Sequence, residues 1–281
     1  MDPEAGCTLG YAADLVSFLT QEIIRNLDKE VKISKGTAKT LARASSSKYW
    51  TITTTSPKQQ DSDHEAKCVV LATGSAPVEP RASHTAMISL DTALTPSLLK
   101  QKLDKQSSNK IAVVGSSHSA ILALKNVCDH SPSNQVLHFY RSNLKFAVYK
   151  DDWILYDNTG LKGLAADWAK ETYPTLPNIQ RFKLNGIHAD EEQLYAKEVP
   201  SCNFIVYAIG YKPVPVPRVS VDGKALAIEF DTLTGKFNVN DLFGCGIAFP
   251  ERVTDPLGNV EYAVGFFKFM TFLKKVSPSW T

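Results

Sequence analysis

The sequence predicts an α/β fold, a largely parallel sheet covered by helices in a three-layer arrangement. Three observations carry this. Short apolar runs end at glycine: Val69-Val-Leu-Ala-Thr-Gly74, Ile111-Ala-Val-Val-Gly115 and Ile205-Val-Tyr-Ala-Ile-Gly210. Runs of that length suit strands buried on both faces. Longer segments between them place apolar residues three and four apart, as amphipathic helices do. The balance is also globular, with 43% hydrophobic and 21% charged residues in 281, enough chain for one large domain or two modest ones.

Taken in order, residues 11–27 read as a helix, because Tyr11, Leu15, Phe18, Leu19 and Ile23 share one face. Strands are expected at 31–33 and 49–54, a polar hairpin loop at 56–65, and a buried strand with a glycine turn at 67–74. Pro77, Pro80 and the residues up to His84 read as a connector. A helix at 96–104 and a Ser/Asn-rich link at 106–109 precede a second unit, which gives a domain boundary near residue 108. That unit reads as strand 111–114, turn 115–118, helix 119–128 and strand 135–140. An irregular stretch runs to 160 and a helix follows at 161–173. Strands are expected at 179–184, 186–189, 193–197 and 204–209, then at 227–230, 237–239 and 242–249. A last helix is expected at 262–274; its Phe266, Phe267, Phe269, Met270 and Phe272 suit core packing or a homo-oligomer surface.

Composition narrows the function. A net charge of +2 gives no electrostatic footprint for nucleic acid or an anionic membrane. The lysines at 100, 102 and 105 read as a solvated helix face. No apolar run spans a bilayer, and the acidic start Met1-Asp2-Pro3-Glu4 lacks a signal pattern. Five cysteines (Cys7, Cys68, Cys128, Cys202, Cys245) without a CxxC pair suit unbridged, mostly buried thiols in a reducing, cytoplasmic setting. The six histidines show no metal-ligand spacing, so no metal site is expected, and a serine-hydrolase elbow is absent.

The strongest motif is Lys110-Ile-Ala-Val-Val-Gly-Ser-Ser-His-Ser-Ala120. A strand runs into Gly115 and then into a helix. Glycine permits the tight turn, and the following amides at the helix start can face a pyrophosphate. Measured against G-x-G-x-x-G/A, the key positions are Gly115, Ser117 and Ala120, with serine replacing the middle glycine. Ser116, His118 and Ser119 complete the cradle, and the serine hydroxyls are potential phosphate donors. An ordinary βαβ turn remains the plainer alternative.

The end of the next strand selects the nucleotide. An acid there suits NAD and an arginine suits NADP. Here it is Arg141-Ser142, 141 − 115 = 26 residues after the first glycine. A guanidinium fork fits a 2′-phosphate, so NADPH is the expected coenzyme; a surface arginine at a strand end is the other reading.

Thr73-Gly74, Gly210 and the segment Leu242-Phe-Gly-Cys-Gly-Ile-Ala-Phe249, in this order around the fingerprint, resemble the motifs of flavoproteins with two dinucleotide-binding domains. Within that superfamily the chain is most similar to class B flavin monooxygenases and the N-hydroxylating ornithine and lysine monooxygenases. The resemblance implies a Rossmann-like NAD(P) domain at 109–200 inserted in a partial FAD-type domain formed by 1–108 and 201–281. It also implies that Gly74, Gly244, Gly246 and Ala248 line a flavin site. Members open with a strand and a GxGxxG turn for the ADP half of FAD. No such motif precedes Tyr11, so the resemblance implies a weakened hold on FAD, in either a truncated flavoprotein or a natural short member that keeps the fold for another purpose. Ile247 also stands where an acid commonly follows Gly-x-Gly. Asp157-Asn-Thr-Gly-Leu-Lys-Gly163 falls where those enzymes bring substrate and nicotinamide together, although a turn with an N-cap opening the next helix also explains it.

The leading expectation is therefore an NADPH-dependent flavoprotein oxidoreductase, monooxygenase-like, acting on a small molecule, with no catalytic residue assigned. The alternative is a flavin-free remnant of the fold acting as a non-redox enzyme or a ligand- or partner-binding protein.

Overall fold

The computed structural model describes residues 9–27, 30–80, 85–103 and 108–280. Cys7, His84, Asp104, Lys105, Gln106 and Ser107 lie outside the described residues, as does the acidic start. The chain forms two compact units. The first takes in Met1–Leu71, Pro215–Asp231 and Lys236–Phe243; the second takes in Ala72–Val214, Thr232–Gly235 and Gly244–Thr281.

The first unit holds the helix Leu9–Asn26 and a five-stranded sheet in the order Lys224–Ala225, Arg218–Val221, Thr37–Arg43, Trp50–Thr55, Asp61–Ala66. Thr37–Arg43 pairs antiparallel with Trp50–Thr55 and parallel with Arg218–Val221. Leu41 and Trp50 are buried, and the Arg43 guanidinium lies 5.0 Å over the Trp50 ring.

The sequence expectations need two corrections here. Residues 31–33 are not a strand; the strand begins at Thr37, where Leu41 is the sole large apolar residue and alternation gives little signal. The polar stretch 56–65 is not all loop either, because Asp61–Ala66 is an edge strand. Thr55 Oγ1 donates to Asp61 at 2.6 Å and Thr53 Oγ1 to Asp63 at 2.7 Å. These cross-strand pairs replace apolar packing, and the carboxylates discourage further pairing at the edge.

The second unit is built on a five-stranded sheet in the order Ile179–Lys183, Gln135–Tyr140, Lys110–Val114, Phe204–Tyr207, Ala86–Met87, every pairing parallel. Residues of Lys110–Val114 alternate between two cores. Ile111 and Val113 pack with Ile121 and Leu124 of the helix His118–His130. Ala112 and Val114 pack with Leu137, Phe139 and the half-buried Leu194 and Tyr195. Helices thus cover both faces, the three layers the apolar runs predict.

Residues 186–189 and 193–197 are not strands; 186 and 187 lie in a loop, and the helix His188–Glu198 takes in 188–189 and 193–197. Asp190 and Glu191 in its first turn and Lys197 in its last complement the helix dipole. Residues 227–230 and 237–239 contribute only a bridge between Phe230 and Phe237. The strand expected at 242–249 stops at Gly244. The terminal helix starts at Phe266, because Val260–Tyr262 pairs with Arg252–Thr254. Cys128 and Cys202 are buried free thiols, Cys245 is half-buried and Cys68 is exposed, since its strand begins one residue later at Val69.

Candidate nucleotide-binding site

The strand Lys110–Val114 carries Gly115 to the carboxyl edge of the parallel sheet, where the helix His118–His130 departs. Gly115 has φ = 132°, which side chains rarely tolerate. A Cβ there would stand 2.9 Å from the Ala208 carbonyl carbon and closer still to its oxygen. The Gly115 N–H donates to Phe139 O at 2.9 Å. Three neighbouring strands therefore converge on this residue, and only glycine leaves them room.

His138 supports the turn from beneath. It is fully buried in the strand Gln135–Tyr140. Its Nε2 lies 2.6 Å from the Gly115 carbonyl oxygen and its Nδ1 2.7 Å from the Tyr173 hydroxyl. A carbonyl only accepts, so Nε2 carries the proton and Nδ1 accepts from Tyr173. Burial pushes the imidazole pKa down to about 4, against the Gly115 hydrogen bond that favours the charged form. Arg181 donates to the Tyr173 carbonyl and stacks 4.4 Å over its ring. Nothing in motif spacing marks His138, but a histidine inside the apolar run Val136-Leu-His-Phe139 has to find buried partners.

Ser117 is the N-cap residue in extended conformation, without a side-chain cap bond. Its carbonyl accepts from Ile121 N at 3.1 Å. The first-turn amides after it have no intrahelical acceptor and form the positive end of the helix. A cavity of 1360 Å³ opens here, lined by Gly115, Ser116, Ser117, Arg141, Glu191 and Gly210 among others. His118 and Ser142 are exposed, Ser119 half-buried and Ala120 buried; none of the four lines the cavity.

Arg141 follows the strand Gln135–Tyr140 and meets a partner that motif reading misses. Its Nε and Nη2 donate to the two carboxylate oxygens of Glu191, at 3.0 and 2.6 Å. Glu191 is only 4% exposed, while the Arg141 side chain is 68% exposed. The Gly186 amide also donates to Glu191, at 3.0 Å. The Arg141 hydrogen bond, reinforced by that amide, holds the Glu191 carboxyl below its ordinary pKa despite burial.

Of the other glycine positions, Gly210 lines the cavity, whereas Gly74, Gly244 and Gly246 do not. Gly74 (φ = 75°) and Gly210 (φ = 101°) lead into Ser75–Pro77 and Tyr211–Pro213, which pair antiparallel as one ribbon. Val78 N donates to Gly210 O at 2.9 Å and Val214 N to Gly74 O at 3.0 Å; Thr73 Oγ1 reaches Val214 O at 3.5 Å. Gly244 closes a short strand, and the Gly246 carbonyl accepts from Phe249 N at 3.0 Å in a turn beside buried Ala248. Thr73, Gly74, Gly244, Gly246 and Ala248 do not line the cavity.

The segment at 157–163 is a cross-linked corner. The turn that the sequence suggests is present, but the helix after it starts at Gly163 rather than 161, and its N-cap residue Lys162 makes no side-chain cap. Lys162 and Lys268 both bind Asp157. Asn158 Oδ1 accepts from Lys268 Nζ at 2.6 Å and from Val264 N at 3.0 Å. Glu261 accepts from Asn158 N at 3.0 Å and from the Thr159 hydroxyl. Burial pushes the Asp157 carboxyl up, but its two lysines outweigh that and hold it below its ordinary range. Lys268→Met is therefore expected to cost about 1 kcal/mol, the partial exposure of the pair tempering the loss. Urea unfolding checks this, and a change within 0.3 kcal/mol, a threshold of about the scatter of such measurements, would show that the corner holds without Lys268.

A parallel sheet with a glycine-turned strand–helix unit at its carboxyl edge defines a Rossmann-like, dinucleotide-binding type of fold. Solved structures share it: reduced CoADR-RHD of Bacillus anthracis (TM-score 0.51, 13% identity, covering 82% of this chain and 41% of that one). A pyridine nucleotide-disulfide family oxidoreductase from Enterococcus faecalis V583 does too (TM-score 0.51, 14% identity, 85% and 53% covered). This chain thus spans about half or less of those proteins. The model of the L-lysine 6-monooxygenase/L-ornithine 5-monooxygenase family matches residues 21–154. Monooxygenase AgnR1 of Paecilomyces divaricatus is 40% identical over 304 residues, covering all of this chain and 76% of that protein. By that last likeness the chain belongs to the family of Monooxygenase AgnR1.

Proposed function

We propose that the chain is an NADPH-binding oxidoreductase of monooxygenase type acting on a small molecule. One observation carries the nucleotide reading: the Gly115 turn, the uncapped helix start and Arg141 meet around a single cavity. In that cavity the amides after Gly115 and the Ser116 and Ser117 hydroxyls would hold the pyrophosphate, and Arg141 the 2′-phosphate. The cavity is roomy enough for a ligand larger than a typical drug. We read residues 109–200 as the nucleotide domain inserted between two parts of a flavin-type domain.

The residues around Thr73-Gly74 and Gly244–Ala248 do not fit a flavin dinucleotide in the same way. The first pair turns into a strand ribbon and the second into a turn followed by a hairpin. Neither has the strand–glycine–helix cradle seen at Gly115. That observation favours a second reading, a nucleotide-binding member of the fold that works without flavin of its own.

Calorimetric titration of the full chain separates these readings. NADPH is expected to bind more tightly than NADH, and Arg141→Ala to weaken NADPH about tenfold or more while changing NADH less than about twofold, the loss of one charge-assisted contact. Equal loss of both would remove Arg141 from the 2′-phosphate. A yellow protein, or NADPH oxidation that depends on added FAD, would establish the flavoenzyme; NADPH binding without either would favour the second reading.

A further inference from the structure

We infer that Glu191 sets the coenzyme preference of this site by neutralising Arg141. The inference rests on the nucleotide reading above and goes beyond it. Arg141 stands where a 2′-phosphate would be recognised, and it is not a free cation. Two of its five N–H donors are committed to a carboxylate whose side chain is 96% removed from solvent, in fork-to-fork geometry. The Gly186 amide fixes the same carboxylate from the other side. Both side chains line the cavity. A phosphate dianion arriving at Arg141 therefore meets a neutral pair, with the outer N–H groups available and a fixed negative charge behind them.

The local structure explains why Glu191 remains ionised. It lies in the first turn of the helix His188–Glu198, where the dipole favours an anion. Lys183 and Tyr140 end neighbouring parallel strands in register, so the loop from Leu184 to Ile187 returns the helix start to Arg141. Removing the carboxylate charge leaves the guanidinium charge uncompensated beside the cavity. Its attraction for a dianion rises, whereas NADH carries no 2′-phosphate to respond. Glu191 is in this account a specificity-determining residue that restrains the preference Arg141 creates.

The test is Glu191→Gln in the full chain, titrated with NADPH and with NADH at constant ionic strength. The expected result is NADPH binding about fivefold or more tighter, with NADH changed less than about twofold. The effect should disappear in the Arg141→Ala background, which a merely structural role of Glu191 would not require. Glu191→Met, which replaces the buried acid with an apolar chain of similar length, should shift the ratio the same way and serves if the glutamine variant unfolds. Weaker NADPH binding in both variants would show that Glu191 orients Arg141 for the phosphate and would overturn the inference. So would parallel changes for the two nucleotides. Wild-type chain that binds neither nucleotide would overturn the nucleotide reading itself, and this inference with it; an unchanged ratio with intact wild-type binding would overturn the inference alone.

Discussion

Gly115→Ala is expected to destabilise the second unit by about 4 kcal/mol or more and to abolish nucleotide binding. Two penalties add at this position. The backbone sits at φ = 132°, which costs an L residue roughly 1–3 kcal/mol. The new methyl would also be driven into the Ala208 carbonyl, a backbone group of the neighbouring strand that cannot rotate away. Relief requires the strands to separate, and with them the Phe139 and His138 hydrogen bonds to Gly115. Gly74→Ala is the control. It shares a positive φ of 75°, but a Cβ there meets nothing within 4 Å, so only the conformational term of about 1–2 kcal/mol applies. Urea unfolding followed by circular dichroism, with NADPH calorimetry, measures both. Equal losses in the two variants would mean that backbone conformation, not the close approach of Ala208, makes Gly115 obligatory.

That contrast bears on what a reader of the bare sequence can know. The fingerprint was legible because its chemistry is local: a buried strand, a glycine and a helix start within eleven residues. The parallel sheet was legible for a similar reason, since strands such as Ile111–Val114 are apolar throughout. Polar strands were not. Asp61–Ala66 owes its place to hydroxyl–carboxylate pairs with a neighbouring strand, partners that no window of sequence contains. The helix His188–Glu198 was not legible as one element, because its buried side is small and five of its eleven residues are charged. The most consequential omission was Glu191, 191 − 141 = 50 residues from the arginine it binds. An arginine after the second strand is a local signal; whether its charge is free is a tertiary fact. Gly74 and Gly210 show the converse, two local turns that the fold joins into one ribbon.

His138→Leu is expected to be almost as damaging as a substitution in the turn itself, and to change how stability depends on pH. At neutral pH the leucine leaves the Gly115 carbonyl and the Tyr173 hydroxyl without their buried partner, at about 1–3 kcal/mol for each group. The pH effect has a definite sign. Burial lowers the His138 pKa from 6.5 to about 4, so between those values the unfolded chain binds the proton that the folded chain refuses. The contribution is complete above pH 6.5 and is lost as pH falls toward 4, to a total of about 3 kcal/mol. A charged ring would also need Tyr173 to turn its hydroxyl from donor to acceptor, beside the stacked Arg181. Unfolding free energies of wild type and His138→Leu at pH 7.5 and pH 5, values chosen about either side of the ordinary histidine pKa, isolate this term from the carboxylates. The wild type should lose more stability on acidification than the variant. Nitrogen-15 spectra of the wild-type ring supply an independent reading, with the proton expected on Nε2. A variant as acid-sensitive as the wild type, or a ring protonated on Nδ1, would mean that His138 is an ordinary core residue and that the Gly115 turn is held from the helix side alone.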